Sequence, residues 1–197
     1  VSTSSAGGGY HHGDLRAACL TAALGLLEEG DQANVSLRAV ARRAGVSPTA
    51  PYRHYPDKDS LLAALATHGN EELRECLVKA DATATPGDEF VVLAQAYVAY
   101  AVAHPALFRL MFDHACTKSN PETAASAAAV TEVLAARVSE AVPPERRQAF
   151  MIGCWALVHG LGSLLLNGKL NSSSPDEVAD LTRTVVSTML GSTNHAH

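Results

Sequence analysis

Apolar residues recur along this chain at helical spacing, not at strand spacing. Alternation with a period of two never persists beyond a few residues, and the β-branched residues are scattered, so strands are not expected. From Asp14, an expected N-cap, the series Leu15, Ala18, Cys19, Ala22, Leu26 keeps to one helical face up to Gly30, which suits a left-handed stop. Ser36 is placed to cap a second, short helix whose inward face is Leu37, Val40, Ala41 and Ala44, and Gly45-Val46 supplies a tight turn. Ser47 is expected to cap a third helix, with Pro48 at its first position, where a missing N–H is harmless. Asp57 opens a long fourth helix with Leu62, Leu65, Gly69, Leu73 and Leu77 on one stripe, ending near Thr85-Pro86.

Beyond Pro86 the pattern predicts helices at about 87–103, 105–113, 121–141, 144–167 and 176–190. They are separated at His104-Pro105, Asn120-Pro121, Pro143-Pro144 and a loop over 171–175. The expected fold is all-α with about nine helices and no fixed-period repeat. Its expected divisions are a disordered tail over 1–10, a three-helix unit over 11–58, a helical bundle over 59–190 and a tail over 191–197.

Composition changes this picture little. An apolar fraction of 47 % in 197 residues supports a buried core, and 15 basic against 20 acidic residues give a net charge of −5. Bulk charge therefore points to no nucleic-acid partner. Cys19, Cys76, Cys116 and Cys154 form no Cys-x-x-Cys pair, which fits small core hydrophobes in a reducing compartment better than a zinc or redox site. Residues 1–9 have neither a basic region nor an apolar run and read as a flexible tail, not a signal peptide. Residues 149–166 contain no acid or base. They reach the minimum length of a membrane span, yet they include Gly153, His159, Gly160, Gly162 and Ser163 and have no counterpart elsewhere. The run reads as the buried centre of a bundle or a subunit seam, and the protein as soluble and cytoplasmic.

Local charge is a different matter. Two short helices joined by a glycine turn and packed on a longer first helix make a helix-turn-helix, whose second short helix enters the DNA major groove. From Ser36 to Lys58 there are five bases (Arg38, Arg42, Arg43, Arg53, Lys58) against the single acid Asp57, while the rest of the chain is acidic. A docking face for phosphate on an otherwise acidic protein has that distribution.

The stretches HGDLRAACLTAALGLLEEG and SLRAVARRAGVSPTAPYRHYPDKDSLLAAL resemble the N-terminal DNA-binding domain of the TetR family of bacterial transcriptional repressors. Ala50-Pro51-Tyr52-Arg53 and the later Trp155-Ala-Leu-Val-His159-Gly160 resemble the branch of that family named for a C-terminal Trp-His-Gly signature. The resemblance implies a phosphate contact at Ser36 and a base-edge contact at Arg38, where a guanidinium can grip guanine O6 and N7. It implies base contacts at Pro48 and Thr49, phosphate contacts at Tyr52 and His54, and a backbone contact at Lys58 aided by a helix N-terminus. Ser47 and Arg53 belong to the same DNA-binding set. Pro51 departs from the family's usual apolar residue, removes a helical N–H, and allows a tighter first turn there. Arg42 and Arg43 read as solvated charges and Tyr55 as the core aromatic that closes the motif.

Palindromic operators require two reading heads, hence a homodimer. The helix around 150–166 and the amphipathic last helix are the candidate seam: Gly153, Leu157, Gly160, Leu161 and Leu164 on the first, Val178, Leu181, Val185 and Met189 on the second. The resemblance also implies a pocket for a small apolar effector, for which Tyr97, His104, Phe108, Met111, Phe112, Trp155 and His159 have fitting side chains. No His-Glu-x-x-His, di-iron pair or dinucleotide loop occurs, so no catalytic residue, metal or cofactor is expected. The expected function is a DNA-binding regulator, a repressor released by its effector. The alternative is a helical small-molecule-binding or catalytic bundle whose N-terminal motif is merely structural.

Overall fold

The computed structural model describes residues 12–112, 120–172 and 174–191. The tails expected over 1–10 and beyond 191 lie outside the described residues, as do Cys116 and the end of the helix expected at 105–113. The described residues form eight α-helices and one 3₁₀ turn, without a strand. In order these are α1 (His12–Glu28), α2 (Leu37–Arg43), the 3₁₀ turn (Pro51–Arg53), α3 (Lys58–Ala82), α4 (Glu89–Ala103), α5 (Pro105–Met111), α6 (Pro121–Ala141), α7 (Pro144–Leu166) and α8 (Pro175–Gly191).

The N-terminal unit is assembled by short-range chemistry. The Ser36 hydroxyl accepts the Ala39 N–H at 3.2 Å and starts α2. At its end the Val46 N–H donates to the Ala41 carbonyl at 3.0 Å and the Gly45 N–H to the Arg42 carbonyl at 3.3 Å, a Schellman stop. Gly45 sits at φ +68°, a left-handed backbone that a Cβ would penalise. Asp57 caps α3, accepting the Ser60 N–H at 2.7 Å and its hydroxyl at 2.6 Å. Leu37, Val40, Ala41 and Tyr55 are buried against Leu15, Cys19, Ala23 and Leu27 of α1, and the Tyr55 hydroxyl donates to the Arg16 carbonyl at 3.4 Å.

Four sequence expectations need correction here. The third helix is a 3₁₀ turn, and Ser47 does not cap an α-helix: its hydroxyl lies 3.4 Å from that of Thr49. With prolines at 48 and 51 two amide donors are missing, so the segment closes through i→i−3 bonds from Ala50 to Ser47, Arg53 to Ala50 and His54 to Pro51. Gly30 is not left-handed; a side chain there would run into Asn34. α1 begins at His12, so Asp14 lies within it, and α3 ends at Ala82, before Thr85-Pro86.

α3 is the spine of the larger unit, flanked by α4 and α6 and crossed by α5, while α7 and α8 pack on α4. At Pro105 the chain turns by 110° from α4 into α5, with proline where no amide donor is needed. Phe108, Leu107 and Leu110 fill the centre beside Leu65 and Leu73. The α3–α6 seam is polar and small: the Thr67 and Thr123 hydroxyls meet at 2.9 Å, and Thr123 also donates to the Ala63 carbonyl at 3.2 Å. These bonds satisfy polar groups that would otherwise be costly to bury.

α7 departs from the reading as a buried bundle centre. It has the length and hydropathy of a membrane span, yet only 11 % of its apolar window is buried within the chain, at Leu161 and Gly162. Gly162 serves an internal contact, since a Cβ there would stand 3.4 Å from the Ala101 Cβ; Gly153 and Gly160 face nothing in their own chain.

Candidate nucleic-acid interface and effector cavity

The residues of the candidate reading head fall into two groups. Arg38 at the start of α2, Pro48 and Thr49 in the turn, and Tyr52 and Arg53 in the 3₁₀ segment are all exposed, as are Ser36 and Ser47. The elements that carry them are anchored from beneath by Val40, Ala50, Pro51 and Tyr55. His54 and Lys58 are held differently. His54 is half-buried, with its Nε2 shielded and without a hydrogen-bond partner, and its ring meets Tyr55 edge-on at 6.5 Å. The Lys58 ammonium donates to the Gln32 carbonyl at 2.6 Å, tying the α1–α2 loop to the start of α3 and leaving two N–H groups for other acceptors. Arg43, expected as a solvated charge, makes a two-pronged ion pair with Glu29, which lowers the Glu29 carboxyl pKa through the hydrogen-bonded guanidinium. Arg38, Arg42 and Arg53 remain as exposed cations on this end of the molecule.

A cavity of about 600 Å³ lies in the larger unit, between α3, α4, the end of α5, α6, α7 and α8. Tyr97, Met111, Phe112 and Trp155 of the expected effector set line it. Phe108 and His159 stand behind that wall: His159 stacks on Phe108 at 5.5 Å and meets Phe112 edge-on at 4.5 Å. The Tyr97 hydroxyl lies 3.2 Å from His159 Nδ1. Burial raises the Tyr97 pKa strongly, against a smaller opposing effect of its hydrogen bond with Trp155, and burial lowers that of His159. The tyrosine therefore stays a phenol beside a neutral imidazole, and the two share one hydrogen bond. His104 does not join this group. It sits at the α4–α5 corner, 3.9 Å from the Glu28 carboxylate of α1 and 4.8 Å from the Tyr100 ring.

Sequence reasoning missed much of the wall, including Asn70, Leu73 and Leu77 on α3, Phe90 and Leu93 on α4, and Ala127, Ala128, Thr131 and Leu134 on α6. The signal was present in the alanine run 124–129, which reads as bland helix. Small side chains facing large ones leave space.

Two family descriptions match the chain. Residues 20–65 match bacterial regulatory proteins of the tetR family, and residues 90–189 match the tetracyclin repressor-like C-terminal domain. The chain belongs to the TetR family. A protein of unknown function from Rhodococcus sp. RHA1 has the same architecture, with 33 % identity and a TM-score of 0.77 over 90 % of this chain and 96 % of that one. The TetR-like regulator LfrR from Mycobacterium smegmatis, solved in complex with proflavine, shares the fold at 23 % identity, with a TM-score of 0.61 over 89 % of this chain and 95 % of that one. An HTH-type transcriptional regulator of Mycobacterium tuberculosis is 33 % identical over 90 residues, which span 44 % of this chain and 38 % of the relative.

In this TetR-family chain the candidate seam residues divide by exposure. Leu161 at 6 % and Val178 at 5 % belong to the chain's own core, and Leu157 lines the cavity. Leu181 and Val185 are half-buried. Leu164 at 45 % and Met189 at 55 % point outward, as do Gly153 and, in part, Gly160.

Proposed function

We propose that this chain is a cytoplasmic, non-catalytic, sequence-specific DNA-binding regulator of transcription that acts as a homodimer, a repressor released from its palindromic operator by a small molecule. The observation that carries the reading is the coexistence of a basic, exposed helix-turn unit with a cavity whose wall reaches the same scaffold. Arg38 reads a base edge, Ser36, Tyr52 and Lys58 hold phosphates, and Pro48 and Thr49 meet bases in the major groove. His54 contributes through the position of its ring and backbone. The exposed parts of α7 and α8 pair with their copies in a four-helix seam.

α5 links ligand to DNA. Met111 and Phe112 touch the cavity, α5 crosses α3 at Gly69, and the His104 corner rests on α1 through Glu28. A ligand that favours a different seating of α5 alters the tilt of α3 and with it the separation of the two heads, by no more than its differential affinity for the two states. The complex of LfrR with proflavine supports reading the cavity as an effector site.

Selection of bound sequences from random duplexes tests the proposal: a two-fold symmetric site with half-sites about one duplex turn apart is expected. A monomer in solution that retains no duplex at low salt refutes it.

A further inference from the structure

Among the described residues the cavity wall contains no Asp, Glu, Lys or Arg. Its polar side chains are neutral, and Asn70, Tyr97 and Thr131 have partners within the bundle. Asn70 donates its amide to the Ser126 hydroxyl at 3.0 Å, and the Thr131 hydroxyl donates to the Ala127 carbonyl at 3.3 Å. The Tyr97 hydroxyl faces His159 Nδ1 at 3.2 Å, and Trp155 stands beside the same imidazole, 6.1 Å between ring centres. Burial raises the Cys154 pKa and keeps it a thiol. What is left for a ligand is apolar surface from Leu73, Leu77, Leu93, Val130 and Leu134, together with the oxygen lone pairs of Asn70 and Tyr97. An ion held against this apolar surface gives up part of its hydration and, among the described residues of the wall, meets no counter-charge.

We infer that the cavity selects an uncharged, mostly apolar molecule and rejects organic cations and anions of the same size. This rests on reading the bundle as an effector domain, and it names the chemistry of that effector. A polar group on the ligand belongs at the Asn70 carbonyl or the Tyr97–Trp155 corner, the oxygens and donors nearest the apolar wall.

Trp155 is the chain's one tryptophan and stands in the cavity wall, so its emission reports occupancy without a label. The full chain is titrated, in the absence of DNA, with three aromatic probes: neutral phenylnaphthylamine, cationic proflavine and anionic anilinonaphthalene sulfonate. The neutral amine is expected to bind about tenfold or more tightly than either ion. Thr131 is exposed at the rim, so Thr131→Asp is expected to fold and to raise the affinity for proflavine at the expense of the neutral amine. Thr131→Val keeps the native order. Proflavine binding as tightly as the neutral amine to the native chain, or no binding of any probe, overturns the inference. Because the readout needs no DNA, failure to find an operator would sink the regulator reading alone, whereas a preference for ions would sink this inference alone.

Discussion

The Met111 sulfur lies so close to Gly69 that a Cβ added to the glycine would stand 2.7 Å from it. The Leu107 Cγ would be 3.0 Å away, so α5 rests on bare backbone in the middle of α3. Tyr100 fastens the same point, donating its hydroxyl to the Gly69 carbonyl at 3.1 Å. Gly69→Ala gains helix propensity of about 0.5–1 kcal/mol but overpacks the crossing by about 1–3 kcal/mol. A net loss of about 1 kcal/mol in urea unfolding is expected, together with a weaker effector response. A more stable variant with a native response would mean that α5 is free to shift at no cost.

The cap that Ser36 makes and the phosphate contact proposed for it are separable. Ser36→Ala removes the cap on α2 and is expected to lower stability by about 1 kcal/mol. Ser36→Asp keeps a capping oxygen but faces phosphate with a negative charge, so thermal unfolding should stay near native while operator affinity collapses. Equal loss of DNA binding in both variants would assign the serine to the fold alone.

Arg38 and Lys58 differ in what they report. Arg38→Ala should flatten base preference at one operator position, with a loss of about 1–3 kcal/mol in binding. Lys58→Ala should weaken all sequences alike and reduce the salt slope by about one per half-site. It should also loosen the loop at Gln32, since the ammonium bonds that carbonyl at 2.6 Å, which hydrogen exchange at residues 31–35 would reveal.

Stability depends on pH through His159. Burial holds its pKa below the ordinary imidazole value of about 6.5, so the unfolded chain takes up a proton before the folded one does. The stabilisation is full above that range and is lost as pH falls through it toward the depressed folded value. A protonated ring also makes Nδ1 an obligatory donor toward the Tyr97 hydroxyl, 3.2 Å away. The urea midpoint should therefore fall between neutral and mildly acidic pH, and His159→Gln should flatten the slope over that range.

Filling the cavity separates its role from that of the fold. Ala127→Phe places an aromatic ring in space bounded by Leu73, Leu134 and Trp155. Ligand-dependent quenching of Trp155 should disappear while operator affinity in the absence of ligand stays native. Reduced operator affinity would show that the wall also sets the resting position of α3.

Much of this was legible in the sequence, because the information is local. Ser36, Gly45 and Asp57 specify caps and a turn within a few residues of themselves, and each has that role in the structure. The apolar stripe of α3 is buried as its spacing predicts. What spacing could not reveal depends on partners far along the chain. His104 belongs with Glu28, across the boundary between the two units, and Arg43 belongs with Glu29. Leu161 and Leu164 share a helix and differ by three positions, yet one is buried and the other faces outward, because α4 covers only one edge of α7. The α3 and α6 walls of the cavity were hidden for a related reason: space is made by what is missing, and a run of alanines carries no motif.

The 3₁₀ segment of the head is shaped by two rings and a buried tyrosine, not by the side chains it displays. Thr49, Tyr52 and Arg53 stand on the surface without supporting the backbone beneath them. They can be exchanged with little penalty to folding. Under the proposed reading, point substitution at these positions changes which duplex is preferred while the scaffold beneath stays as it is.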